Sequence, residues 1–262
     1  MAMGLGKRRV INTATAGFVV ILAAVGLFLG LRFRPAPFAS CGPTVTSVIG
    51  CENSRKGEPP GDWQVSGAGD PTLQGFATSM SVNAGQTVSF KVLSTAAAYH
   101  IDILRLGYYH GNGARKVWAG VLPSAQYPQS QPACLTDSTA GLVDCGNWGV
   151  SASWTVPSTA VSGIYLAHLV RDDTGSGSDV PFVVRNDSSH ADIVVQTSDE
   201  TWEAYNAYGG NSLYQCSVAC APGNPLTYKA AYKVSYNRPF ETGADAVSSW
   251  IWYAELPMIM FP

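Results

Sequence analysis

Between Gln196 and Phe240 the chain gathers side chains able to hold a small molecule. The stretch opens Gln196-Thr-Ser-Asp-Glu-Thr-Trp-Glu-Ala-Tyr205-Asn206-Ala-Tyr208-Gly209-Gly210-Asn211-Ser212-Leu-Tyr214 and continues through Lys233-Val-Ser-Tyr236-Asn237-Arg238-Pro239-Phe240. It is too polar for a core. Aromatic and amide groups beside glycines offer flat contact area, fixed hydrogen bonds and close backbone approach, which a binding or catalytic surface needs. The bland alternative is that such tyrosines pack loops, and that Arg238 before Pro239 only caps a turn. Other standard chemistry is missing. The sequence has no Gly-x-Ser-x-Gly elbow and no phosphate-cradling Gly-Lys loop. His100, His110, His168 and His190 are scattered, with no metal spacing.

The elements that must position this stretch read as short strands. Gln86 to Val92 alternates polar and apolar residues after the Asn83-Ala-Gly85 turn, as a half-buried strand does. Tyr99 to Leu106 alternates again, with Ile101, Ile103 and Arg105 on one side; the arginine breaks the apolar pattern and leaves the register open. Ser153–Val156, Gly163–Val170 and Val180–Val184 follow, with turn signals between them. The series predicts an antiparallel β-sandwich over 63–187, fixed in part by Trp63 and Asp70. Ala191 to Gln196 is short and apolar, which suits a strand buried on both faces of a parallel sheet. The polar residues after it would then lie at a strand's C-terminal end, where open α/β sheets bind ligands. Apolar spacing predicts a helix from Ser248 to Met260, with Pro257 kinking or ending it. One strand and one helix cannot form a layer, so 188–262 reads as the start of an incomplete α/β domain.

The chain has 262 residues, a net charge of −2 and only 13% charged residues. That charge is too small to steer nucleic acid. Lys7, Arg8 and Arg9 precede a mostly apolar run from Val10 to Leu31, long enough to cross a bilayer as a helix. Residues 1–34 therefore read as a cytoplasmic tip and membrane anchor; a cleaved signal, or a lipoprotein signal ending at Cys41, are the alternatives. Residues 35–62 are a Pro-rich lead-in. In each case the rest is extracytoplasmic, the anchored form being a single-pass protein of the cell membrane. The six cysteines agree: Cys41/Cys51, Cys134/Cys145 and Cys216/Cys220 are local pairs, preferred as disulfides among 15 pairings.

Four segments carry a family resemblance. Gly67-Ala-Gly-Asp70-Pro71-x-x-Gln74-Gly75-Phe76, Arg105-Leu-Gly-Tyr-Tyr109, Tyr205-Asn206-x-Tyr208-Gly209-Gly210 and Val234-Ser-Tyr236-Asn237-Arg238-Pro239 resemble the large (β) subunit of N,N-dimethylformamidase and its bacterial relatives. The similarity runs from about Cys41 to Met258. It implies an iron-dependent hydrolase of linear amides, with iron held by two tyrosines and one glutamate. On this chain it points to Tyr205 and Tyr236 as phenolic ligands, Tyr208 being the alternative to Tyr205. Tyr208, Asn206 and Arg238 are the substrate-binding candidates. The family's glutamate lies in a downstream Gly-His-x-Glu-Tyr-Trp motif that this sequence does not contain. The expectation is thus an incomplete site: iron in complete relatives, none here, and an inactive chain.

The chemistry stands on physical grounds. A tyrosine titrates near pH ~10, and a highly charged cation holds it as phenolate. Hard oxygen donors suit a hard metal, and three protein ligands leave positions for water and an amide carbonyl. A second reading is a non-catalytic cell-surface module, with Trp118, Trp148, Trp154, Tyr108 and Tyr109 forming a stacking surface for glycans or a partner protein. A homo-oligomer and a small partner subunit are both compatible with the sequence.

Overall fold

Alternation and short apolar runs build the strands. In β3 (Thr87–Ser94) Val88, Phe90 and Val92 are buried while their neighbours face outward. β9 (Gly163–Arg171) and β10 (Gly177–Arg185) carry runs buried on both faces and send Tyr165, Ala167, Leu169 and Val180, Phe182, Val184 into one core. The computed structural model describes residues 47–65, 69–121, 129–214, 230–240 and 255–260. The chain divides into two units, Met1–Phe38 and Ala39–Pro262. The predicted membrane segment, residues 10–31, lies outside the described residues. Among the described residues no helix is long and apolar enough to cross a membrane.

Among the described residues three sheets account for the strands. β1 (Leu73–Ala77), β3 and β8 (Ala152–Thr155) form an antiparallel sheet in the order β1-β3-β8. The larger sheet runs β2-β10-β9-β4-β5, with β2 at Ser81–Asn83, β4 at Tyr99–Leu106 and β5 at Ala114–Val121. Among the described residues only β2 pairs in parallel, with β10. β6 (Leu135–Asp137) and β7 (Leu142–Asp144) make a two-stranded ribbon. The three- and five-stranded sheets share one apolar core, where Phe90 and Phe182 meet edge-on at 5.7 Å. The fold is mainly β, as the sequence predicts.

Arg105 settles the register left open by the sequence. It lies opposite Tyr165 of β9, on the Ile101–Ile103 side, in a pairing without interruption. The irregularity falls on the other neighbour, where the β4–β5 register shifts between Ile101 and Leu104. Arg105 is buried at the end of this core. Its guanidinium donates to Asn53 Oδ1, Tyr109 Oη and the carbonyls of Leu106, Val161 and Ser162. Asn53 ends α1 (Val48–Asn53). Gly107 must be glycine here, because a Cβ would come within 2.5 Å of Asn53 Oδ1.

Two further clusters cover the outer faces. Leu104, Leu106, Ile164 and Leu166 pack with Trp63, Trp202 and Phe240, joined by Ile259. Phe76 packs with Val143, Cys145 and Trp148, joined by Tyr208. Trp63 anchors the lead-in segment by donating its indole N–H to Asn112 O. Asp70 accepts from Thr72 and Ser176, tying the start of β1 to the β9–β10 turn.

Three expectations are corrected or bounded. Residues 191–196 form no strand, and Ile193, Val194 and Val195 are 81%, 87% and 60% exposed. A strand needs a neighbour for its N–H and C=O groups, and no described strand follows β10. The parallel sheet that would place the tyrosines at a strand end is therefore absent among the described residues. In its place α2 (Asp199–Tyr205) carries Tyr205, while Tyr208 and Tyr236 lie in the turns that follow. Of the predicted helix at 248–260, α3 (Leu256–Ile259) is described and 248–254 lie outside the described residues. It starts one residue before Pro257, where a missing N–H falls among donors that a first turn leaves unpaired.

Candidate metal and substrate site

α2 starts where the sequence changes character. Ser198 precedes it, and Asp199 and Glu200 fill its first turn, a favourable place for negative charge. The Ser198 hydroxyl does not cap the helix; it bonds to Glu255 Oε1, as do the Ser198 N–H at 2.8 Å and the Trp202 indole N–H at 3.1 Å. Trp202 turns into the second core, so α2 is fixed on the outer face of the large sheet. Asp199 and Glu203, four residues apart, lie on one helical face. An open depression of about 340 Å³ is lined by residues 196–201.

One phenol is carried by this helix and the other touches it. Tyr205 ends α2, and its ring stacks on Tyr214 with centroids 4.5 Å apart. Tyr236 is 41% exposed and donates its hydroxyl to Asp199 Oδ2 at 3.0 Å. Burial and the Asp199 carboxylate, with Glu203 and Glu200 behind it, hold the Tyr236 phenol above the usual tyrosine range. A positive charge nearby would oppose that rise. Tyr208 is packed toward Val143, and burial raises its phenol also.

Asn206, Tyr208 and Arg238 are brought together. Arg238 is fully buried and donates to the carbonyls of Glu203, Asn206, Tyr208, Asn211 and Ser235. Its Nε lies 3.5 Å from Glu203 Oε2. The Asn206 amide donates to Pro239 O at 3.1 Å, and Asn206 Oδ1 accepts from Tyr208 N–H. Glu203 is buried, with Oε1 unpaired among the described residues. Burial pushes its pKa up to about 7 against the lowering effect of Arg238 and Asn206.

A third anchor comes from β7. Asp144 Oδ2 accepts from the Ser235 hydroxyl at 2.6 Å and the Asn237 amide at 3.3 Å. Burial opposes its charge, but Ser235, the Gly146 N–H, Asn237 and Lys91 outweigh it and lower its pKa. Gly209 sits at φ +82° with its Cβ position 2.7 Å from Val143, so only glycine fits this contact. Cys134–Cys145 closes the ribbon with the predicted local disulfide. Cys51 is disulfide-bonded as well, while Cys41, Cys216 and Cys220 lie outside the described residues.

The proposed stacking surface does not form. Tyr109, Trp148 and Trp154 are buried, leaving Trp118 exposed and Tyr108 half-buried. Tyr109 Oη instead donates to Glu52 Oε1 at 3.0 Å.

The family described as N,N-dimethylformamidase beta subunit-like, C-terminal, matches residues 100–261, more than half of the chain. The chain belongs to this family. The matched span runs from β4 through α3, so it includes both buried arginines and all the candidate tyrosines. No curated protein matches the chain.

Within this family member, sequence reading missed Asp199 and Glu203. Their i, i+4 spacing behind a serine was the available signal. Among the described residues no group of three or more His, Cys, Asp or Glu gathers for a metal. A cation here would depend on phenols. The oxygen donors brought together, Tyr236 Oη and the Asp199 carboxylate, are of the kind a hard cation takes, while Tyr205 lies six residues along α2 from Asp199 with its ring on Tyr214.

Proposed function

We propose that this chain carries the phenol-bearing part of a site that hydrolyses C–N bonds of linear amides. Water adds to the carbonyl carbon and the C–N bond breaks, giving a carboxylate and an amine. The observation that carries the reading is Tyr236 Oη on Asp199 Oδ2 at 3.0 Å, in a member of the dimethylformamidase-like family. Tyr236, Tyr205 and Asp199 would hold iron. When bound, iron supplies Lewis acidity toward an amide carbonyl and makes a water more acidic. The protein's own part is to hold the proton of Tyr236 at Asp199 until a cation displaces it. The sequence reading expects no bound iron without a carboxylate; Asp199 puts one beside Tyr236. On that ground the site on this chain is a metal-binding one.

The same reading sets the described residues outside the cytosol, anchored by residues 10–31. The Cys134–Cys145 bond and the disulfide at Cys51 support export.

Amine release from N,N-dimethylformamide and longer N-alkyl amides, with iron-loaded protein, tests the reaction. Turnover that Tyr236→Phe abolishes supports it. Turnover equal in wild type and variant contradicts it.

A further inference from the structure

We propose that Arg238 is a positioning residue for the two phenols: its buried guanidinium joins the end of α2, the Asn206–Asn211 turn and the Ser235–Arg238 turn into one frame that fixes Tyr205 relative to Tyr236. This rests on reading those tyrosines as the phenolic donors.

The sequence places each phenol beside backbone groups that Arg238 holds. Tyr205 lies between Glu203 and Asn206, and both of their carbonyls accept from Nη2. Tyr236 follows Ser235, whose carbonyl accepts from Nε. Nη1 reaches Tyr208 O and Asn211 O in the intervening turn. A helix leaves its last carbonyls without intrahelical donors, and a cation there satisfies them. α2 has only seven residues, so it depends on such outside partners. The Asn206 amide adds a bond to Pro239 O, locking the second turn to the first.

The chemistry needs arginine. Five acceptors from three segments surround one planar group, and a guanidinium presents five N–H donors in a rigid fork. A lysine offers three donors from a single point and cannot span them. Glu203 offsets the buried charge from 3.5 Å. A role confined to fold stability would not require held carbonyls on both sides of Tyr205 and directly before Tyr236.

The test uses the full chain, wild type and Arg238→Lys, with two readouts. The first needs no metal: amide hydrogen exchange of residues 203–214 and 230–240. The expected result is faster exchange of both segments together, by roughly tenfold or more, with β3 and β9 unchanged. The second is ferric ion alone, followed by the visible phenolate-to-iron charge-transfer band. Arg238→Lys is expected to weaken ferric binding at least tenfold. Unchanged exchange in the variant overturns the proposal. Faster exchange with unchanged ferric affinity overturns it as well, leaving Arg238 a purely structural residue. A wild type that gives no band while exchange rises as expected contradicts the iron reading of the preceding section, and the positioning role falls with it.

Discussion

Two buried arginines organise two regions of this protein in different ways. Arg105 sits at the end of the sandwich core and holds α1, the Tyr109 turn and the segment before β9. Its surroundings are already fixed by paired strands on either side. Arg238 sits where no strand pairing is described, and backbone carbonyls are its main partners. The first arginine finishes a structure that apolar packing would largely form without it. The second substitutes for packing. A polar, tyrosine-rich segment can be held still only if its backbone groups find donors, and one guanidinium supplies five.

Substitutions sort the two modes. In the shared core, Phe182→Ala removes a ring at 0% exposure that meets Phe90, Trp154 and Tyr165. It is expected to cost about 3–5 kcal/mol in urea unfolding. A loss below about 1 kcal/mol would mean the two sheets are not packed as described. Arg238→Met leaves Glu203 and several carbonyls unpaired, a change of about 3 kcal/mol. That loss should appear as local protease sensitivity within 196–240, while Arg105→Met should lower the global midpoint. Equal global losses from the two arginines would erase the distinction drawn here. Asp144→Ala cuts the bonds from β7 to Ser235 and Asn237 and is expected to loosen the same stretch by about 1–3 kcal/mol.

The smallest effect belongs to the sandwich. His168 Nδ1 lies 2.7 Å from Asp179 Oδ1, and Asp102 lies opposite His168 in the β4–β9 register. Burial disfavours the charged ring, but Asp179 and then Asp102 outweigh it, so the folded pKa is raised. A raised folded value means the contribution is complete below the unfolded-state value of about 6.5 and is lost as pH rises through the folded value. Unfolding midpoints of His168→Gln should therefore vary less with pH above that point than those of wild type. Parallel profiles would show that the pair contributes nothing.

The same contrast explains what the sequence made legible. Val88, Phe90 and Val92 announce themselves by alternation, because sheet burial has a period of two, and β9 and β10 by short apolar runs between turn signals. The strand at Tyr99–Leu106 was readable to the residue, with its register left open at Arg105. Ile193, Val194 and Val195 show the limit of that signal: their residue types suit a strand, but pairing is a property of neighbours, not of the segment. The candidate site was named as a stretch and as residue types, with the tyrosine assignments drawn from the family resemblance. Its architecture was not. Arg238 reads as a turn cap or a ligand-facing charge, because five carbonyl partners leave no periodic trace. Asp144 is 91 residues from Ser235 in the chain. Nothing local marks such a pair.

The central claim is that the polar stretch holds Tyr236 ready for a hard cation. Ferric titration followed in the visible tests it most directly, comparing wild type with Tyr236→Phe and with Tyr232→Phe, the latter removing a hydroxyl from a tyrosine that is 71% exposed. The account predicts a saturable phenolate band in wild type and Tyr232→Phe that is absent from Tyr236→Phe. A band that survives loss of the Tyr236 hydroxyl, or no saturable band in any of the three proteins, would contradict it.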